Sequence, residues 1–233
     1  MEGYLNRPAT FRTRPLIVCV LLCLWTLGFW EGAARAESDN FFSFGLAAGG
    51  VIAPGADLES SPPLGEVHFD PGYSIKTSLG FLLARKFHLE AEYLYTFNRI
   101  DSLVNPPTVT PLLVSDRLTH SVMLNATYRM ETPPLGDVNW VRRGFYFYIG
   151  GGAGISWQDY TVETVASVTD SSLAWQVFIG FEKMNPSEHL FASFPSPFLQ
   201  YRFLHIMEGD FGAFQSDASM HIIEFGFRFY GGA

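Results

Sequence analysis

From residue 37 onward, apolar and polar side chains alternate with a period of two in eight separate stretches. No apolar run there approaches the ~20 residues that a spanning helix needs. The pattern is clearest over 87–98, where Phe87, Leu89, Ala91, Tyr93, Tyr95 and Phe97 share one face and His88, Glu90, Glu92, Thr96 and Asn98 share the other. Residues 118–130 repeat it, with Leu118, Val122, Leu124, Ala126 and Tyr128 opposite Thr119, Ser121, Asn125, Thr127 and Arg129. Alternation of this kind is the signature of a strand whose two faces meet different surroundings. It predicts strands near 41–53, 73–84, 87–98, 118–130, 144–157, 172–182, 197–206 and 219–230. The stretches between them carry turn chemistry, such as Pro54-Gly55, Pro71-Gly72, Asn105-Pro106-Pro107 and Asn185-Pro186.

Each stretch is close to the 9–11 residues with which a tilted strand crosses a bilayer. The composition decides between a soluble and a membrane barrel. In the last stretch Ile223, Phe225, Phe227 and Phe229 project to one side, and Glu224, Gly226 and Arg228 to the other. A soluble barrel would turn the charges to water and pack the bulky rings inside. Here the polar face mixes small residues with isolated charges, which suits an interior better than a solvated exterior. The expected fold is all-β: an eight-stranded antiparallel up-and-down transmembrane β-barrel, closed because hydrocarbon tolerates no open strand edge.

Residues 1–36 read as a cleavable signal peptide ahead of a barrel domain at 37–233. Arg7, Arg12 and Arg14 precede a charge-free apolar core from Leu16 to Trp30, and Ala34-Arg35-Ala36 offers a small-x-small cleavage site. Both cysteines, Cys19 and Cys23, fall within this segment, so the mature chain is expected to hold no disulfide or thiolate site. Export and a barrel together place the protein in the Gram-negative outer membrane.

Alternation assigns Lys76, Glu90, Glu92, Arg129, Glu182, Arg202, Glu224 and Arg228 to the interior, four acids and four bases. An eight-stranded barrel is just wide enough for side chains to fill it, and buried charges require partners. A charge-paired, filled interior is therefore expected in place of a wide pore. The chain has 15 basic and 23 acidic residues. Loss of residues 1–36 removes Arg7, Arg12, Arg14, Arg35, Glu2 and Glu31, leaving 11 and 21, a net of −10. With a periplasmic start, the outer connectors are 54–72, 99–117, 158–171 and 207–218. They hold twelve acids against only Arg99 and Arg117. Such a surface suits divalent cations or basic partners and argues against nucleic acid.

The chain resembles the OmpA/OmpX-like group of small outer-membrane β-barrels over roughly 37–233. The resemblance rests on the signal peptide, eight amphipathic strands, longer outer loops and the closing aromatic strand His221-Ile-Ile-Glu-Phe-Gly-Phe-Arg-Phe-Tyr230. It implies that Ile223, Phe225, Phe227, Phe229 and Tyr230 form the signal presented to the barrel-assembly machinery. It also implies contact with outer-membrane lipid and lipopolysaccharide, and a possible surface ligand held by the outer loops. The group includes structural, adhesive and enzymatic members, so architecture does not fix activity.

No constellation for catalysis, cofactor or metal binding emerges. His120 and Ser121 fall on opposite faces. Ser219 and His221 share a face, with no acid nearby and no His-x-Ser motif of the lipid A deacylase kind. The six histidines lack HxH or HExxH spacing. Tyr73, Tyr93, Trp157, Trp175 and Tyr230 are expected in interfacial girdles. Three functions compete. The first is a structural or surface-interaction barrel acting through acidic loops. The second is a lipid-A-modifying or acyl-chain enzyme. The third is a narrow transporter of small hydrophobic molecules, suggested by Leu82, Leu94 and Phe178 on the polar face.

Overall fold

Eight long antiparallel strands close into a barrel, each hydrogen-bonded to its sequence neighbour and the last to the first. The computed structural model describes residues 41–58, 65–83, 86–105, 108–111, 115–131, 145–162, 165–183, 195–210 and 215–232. The expected signal peptide, with Cys19 and Cys23, lies outside the described residues, as does most of the connectors 131–143 and 183–196. The strands are β1 (Phe41–Ile52), β2 (Ala56–Leu58), β3 (Gly65–Phe69), β4 (Gly72–Leu83), β5 (Phe87–Asn105), β6 (Thr108–Pro111), β7 (Ser115–Glu131), β8 (Phe145–Val162), β9 (Val165–Lys183), β10 (Ser196–Asp210) and β11 (Gln215–Gly232). The barrel proper is β1, β4, β5 and β7 to β11.

The register fixes the barrel's dimensions. A circuit from His120 passes through Tyr95, Ile75, Ala48, Phe225, Leu199, Phe181 and Phe147 and returns to β7 at Met130. That is ten residues below its start, a shear of 10. Strand number and shear together set a tilt of roughly 40°. Strands about 4.8 Å apart then close on a cylinder of about 8 Å backbone radius.

The same climb shows which residues share a height, since each step to the next strand is worth about one and a quarter residues. Tyr73, Phe97, Trp157, Trp175, His205 and His221 fall level with His120, within about two residues. Eight residues lower on β7, level with Tyr128, lies a ring of Phe44, Phe81, Phe87, Phe147, Phe181 and Phe229. Its rings meet across paired strands, with Phe87–Tyr128 centroids 5.2 Å apart and Phe147–Phe181 5.3 Å apart. The two girdles are separated by about 20 Å, close to the apolar band of an outer-membrane barrel. Between them the outward side chains are mostly aliphatic or aromatic: Leu46, Ile75, Leu89, Leu124, Ile149, Val177, Ile179, Leu199 and Phe225 are all exposed, and Tyr93, Tyr95 and Tyr201 project outward among them.

The wall rises beyond the outer girdle, where the sequence pattern suggested loops. β5 and β7 to β11 are 15 to 19 residues long, against 12 for β1 and β4. Above those two short strands, β2 pairs with β3, β3 pairs with β5, and β2 lies against β11. The antiparallel pair β2 and β3 thus carries the wall upward, set off from β1 at Pro54-Gly55 and from β4 at Pro71-Gly72 because proline cannot donate to the ladder. On its other side β5 pairs with β6. Asp101, Asp116, Asp159, Asp170, Glu208 and Asp217, expected in outer loops, stand on these strand extensions.

Candidate functional site

The interior is layered. At the end of the barrel where β1 begins and β11 finishes, Glu182 accepts from Arg129 Nη2 and Arg228 Nη1, both at 2.7 Å, and from the Tyr230 hydroxyl at 2.5 Å. Arg228 Nη2 also reaches Glu90 at 3.2 Å. Glu90 lies 3.7 Å from His88, whose other ring nitrogen is 2.6 Å from Ser43 Oγ. Large inward rings are accommodated by glycines on the paired strand. A Cβ on Gly180 or Gly226 would come within 2.6 Å of the Tyr148 hydroxyl or the Phe198 ring.

A second layer lies above. Arg202 grips Glu92 through both terminal nitrogens, Nη2 at 2.8 Å, and reaches Glu224 at 3.1 Å. Lys76 Nζ sits 3.6 Å from Glu92 and 3.8 Å from Glu224. Amides complete the shell: Asn125 and Gln176 each donate to Glu92 at 3.2 Å, and Gln200 donates to Glu224 at 3.2 Å. All eight charged residues assigned to the interior are buried and fall into these two layers, each with two acids and two bases. The grouping follows from register, which alternation along single strands does not supply.

Toward the outer end the lumen changes character. Val51, Ala53, Leu94, Met123, Ala174, Leu204, Ile206, Ala218, Met220 and Ile222 form one buried apolar cluster, and Phe69 packs on it from β3. Leu82 and Phe178 are also inward and buried, lower down. Ser121 and Ser156 bond to each other at 2.6 Å beside this layer. Above it the Arg117 guanidinium stacks on the Phe69 ring, 4.0 Å from its centroid. Arg117 was expected in an acidic outer loop; its side chain is buried in the lumen instead.

Two further expectations are corrected. Tyr230 belongs to no girdle. It shares the inward alternation of Glu224 and Arg228, and its hydroxyl is bonded into the lowest ionic layer. Ile223, Phe225, Phe227 and Phe229 do face outward on β11, exposed to 41–59%, which is the lipid-facing stripe that a closing strand presents. The second correction concerns Ser219, because the paired register sets it opposite His205, with Oγ 3.0 Å from Nδ1. Asp217 shares that outward face two residues away, so an acid does lie on it. His221 is held instead by the Tyr201 hydroxyl at 2.7 Å, and His120 by Tyr93 at 2.7 Å. Among the described residues no three His, Cys, Asp or Glu side chains gather as a metal site would require.

No protein-family model matches the chain, and no curated protein matches its sequence. Solved structures do match its fold. The structure of Neisserial surface protein A aligns at a TM-score of 0.50 and 14% identity, covering 81% of this chain and 95% of that one. The outer membrane protein OprG from Pseudomonas aeruginosa aligns at 0.47 and 15%, covering 84% and 98%. Ail, the attachment invasion locus protein of Yersinia pestis, aligns at 0.40 and 14%, covering 83% and 100%. At such identities the likeness is one of architecture. The chain has the closed eight-stranded antiparallel barrel of the small outer-membrane barrel proteins.

Proposed function

We propose that this protein is a surface barrel of the Gram-negative outer membrane, with a structural or partner-binding role carried by its acidic outer rim and an interior that offers no wide pore. The observation that carries this reading is the pair of charge-neutral layers across the lumen. Opening a channel would strip Glu92 and Glu182 of partners that low-dielectric burial makes necessary. The rim supports the second half of the reading. Glu66, Asp101, Glu208 and Asp217 are exposed there, and Arg99 is the exposed base on the same strand extensions. A ligand recruited by that surface would be basic or bridged by divalent cations. The girdles would seat the barrel against membrane lipid and lipopolysaccharide, and β11 would serve the barrel-assembly machinery.

Planar-bilayer recording tests the interior. The purified barrel is expected to leave the current at the leak of the bare membrane, and large stable channels would overturn the reading.

A second reading, an acyl-chain enzyme, is favoured by the Ser219–His205 contact, which places a hydroxyl beside a base on the lipid-facing wall. Under the leading reading, the mass profile of lipid A stays the same whether the wild type or Ser219→Ala is expressed. An acyl loss that appears with the wild type and vanishes with the variant would establish the enzyme instead.

A further inference from the structure

We propose that His205 and His221, on the outward wall of β10 and β11, bind a phosphate carried by an acylated saccharide lipid of the outer leaflet. The two girdles differ in chemistry. The ring level with Tyr128 is dominated by phenylalanine, which offers no hydrogen bond. The outer girdle carries His120, His205 and His221, and each has its Nδ1 beside a hydroxyl: Tyr93 and Tyr201 at 2.7 Å, Ser219 at 3.0 Å. A hydroxyl that donates to Nδ1 keeps the ring's proton on Nε2, so the ring turns a fixed N–H donor away from that bond. Among the described residues no side chain takes up the Nε2 of His205 or His221.

Two such donors meet on β10 and β11. His205 stands opposite Ser219 and His221 opposite Phe203, so the two imidazoles are diagonal neighbours about 7–8 Å apart. One phosphate, with a hydrogen bond of about 2.8 Å on either side, spans that gap. Ring surface flanks the pair. Trp175 lies 5.4 Å from His205 and 5.5 Å from Phe203, and Tyr201 stacks on His221 at 6.1 Å. Trp175 and Tyr201 are 42% and 43% exposed, which leaves aromatic area for a sugar ring to pack on. Lower on the same three strands Val177, Ile179, Leu199 and Ile223 are exposed, an aliphatic strip for acyl chains. Phosphate donors, sugar platform and aliphatic strip thus follow the order of groups along such a lipid from headgroup to membrane. Above the pair the outward charges are acids, Asp217 on β11 and Glu208 on β10, both exposed. They repel a phosphate placed any higher and set its depth at the histidines. On the flanking strands the neighbours are uncharged, Leu173 and Trp175 on β9 and Ile52 on β1.

This inference rests on the outer-membrane reading and adds to it the residues and the headgroup. Native mass spectrometry of the folded barrel, released from phosphatidylcholine nanodiscs doped with one further lipid at a time, tests it. Bisphosphorylated lipid A is expected to be retained saturably. Lipid A stripped of its phosphates, phosphatidylglycerol and inorganic phosphate should each bind at least about tenfold more weakly. The double variant His205→Phe/His221→Phe keeps the girdle aromatic and removes both donors, and should weaken lipid A by at least about tenfold. His120→Phe, at the same height on β7, should leave retention unchanged. Equal retention of the dephosphorylated lipid would overturn the proposal, as would undiminished retention by the double variant or an equal loss in His120→Phe. The comparison of lipids on the wild type decides the matter even if the double variant fails to fold. A barrel that inserts and migrates heat-modifiably, yet does not distinguish these lipids, loses the site and keeps its place in the membrane.

Discussion

Replacing Glu92 by leucine is expected to destabilise the folded barrel by about 3–5 kcal/mol, the cost of leaving buried charges without their partner. Glu92 takes a two-pronged grip from Arg202, a 3.6 Å ion pair from Lys76 and amide donors from Asn125 and Gln176. Without it, Arg202 and Lys76 would share Glu224 alone, two cations on one carboxylate in a site that water barely enters. Glu92→Gln keeps the shape and some hydrogen bonds, so its loss should be smaller. The double variant Glu92→Leu/Arg202→Leu should recover part of the deficit, because deleting both buried ions costs less than orphaning one. Urea midpoints from heat-modifiable gel migration measure all three. A single-variant cost below about 1 kcal/mol would mean that water already shares this layer.

The strands were legible because two different solvents act on them: lipid outside and a packed polar lumen inside produce alternation that no helix would give. Where the lipid ends, the rule inverts. Above the outer girdle the wall has water outside, so charges turn outward and apolar residues turn in. Arg99 and Asp101 are exposed on β5, and Ile100 between them is buried, as is Val67 on β3. Read along the chain, those charges look like loop residues, so alternation alone ends β5 and β7 to β11 below their true tops. Arg117 was misplaced for the same reason. Its neighbour Leu118 keeps the lipid-facing alternation, but an arginine beside Asp116 resembles a loop end until the pairing with Asn98 and Tyr160 is known.

The apolar layer of the lumen was hidden by a different effect. Ile222 beside Ile223, and Leu204 beside Phe203, are apolar on both faces, so alternation carries no contrast there. Only the register reveals that Ile222, Leu204, Leu94 and Met220 converge on one height. The Ser219–His205 contact is likewise a product of strand pairing, its partners 14 positions apart in the chain. What alternation does supply is the facing of a side chain, and with it the inward assignment of all eight network residues. Which of them meet depends on a shear of ten, which no single stretch encodes.

Arginine at position 124 should destabilise the barrel by about 2–4 kcal/mol, and arginine at position 157 by about 1 kcal/mol or less. Leu124 projects outward, 71% exposed, midway between the Phe ring at the Tyr128 level and the outer girdle at the His120 level. That is the depth at which a guanidinium finds neither water nor headgroups, and its side chain is too far from either interface to snorkel cheaply. Trp157 also projects outward, directly beside His120 on the paired strand. There a charge reaches the headgroup region, and the loss is mainly that of an interfacial tryptophan. Both sites are on the surface, so neither substitution disturbs the lumen. The difference between them therefore isolates the solvent at each height. It is read as the shift between the two variants' unfolding midpoints in lipid bilayers. Equal costs at the two positions would mean that no hydrocarbon bathes the band between the girdles, and a bilayer-spanning barrel would no longer account for the outward-facing rings.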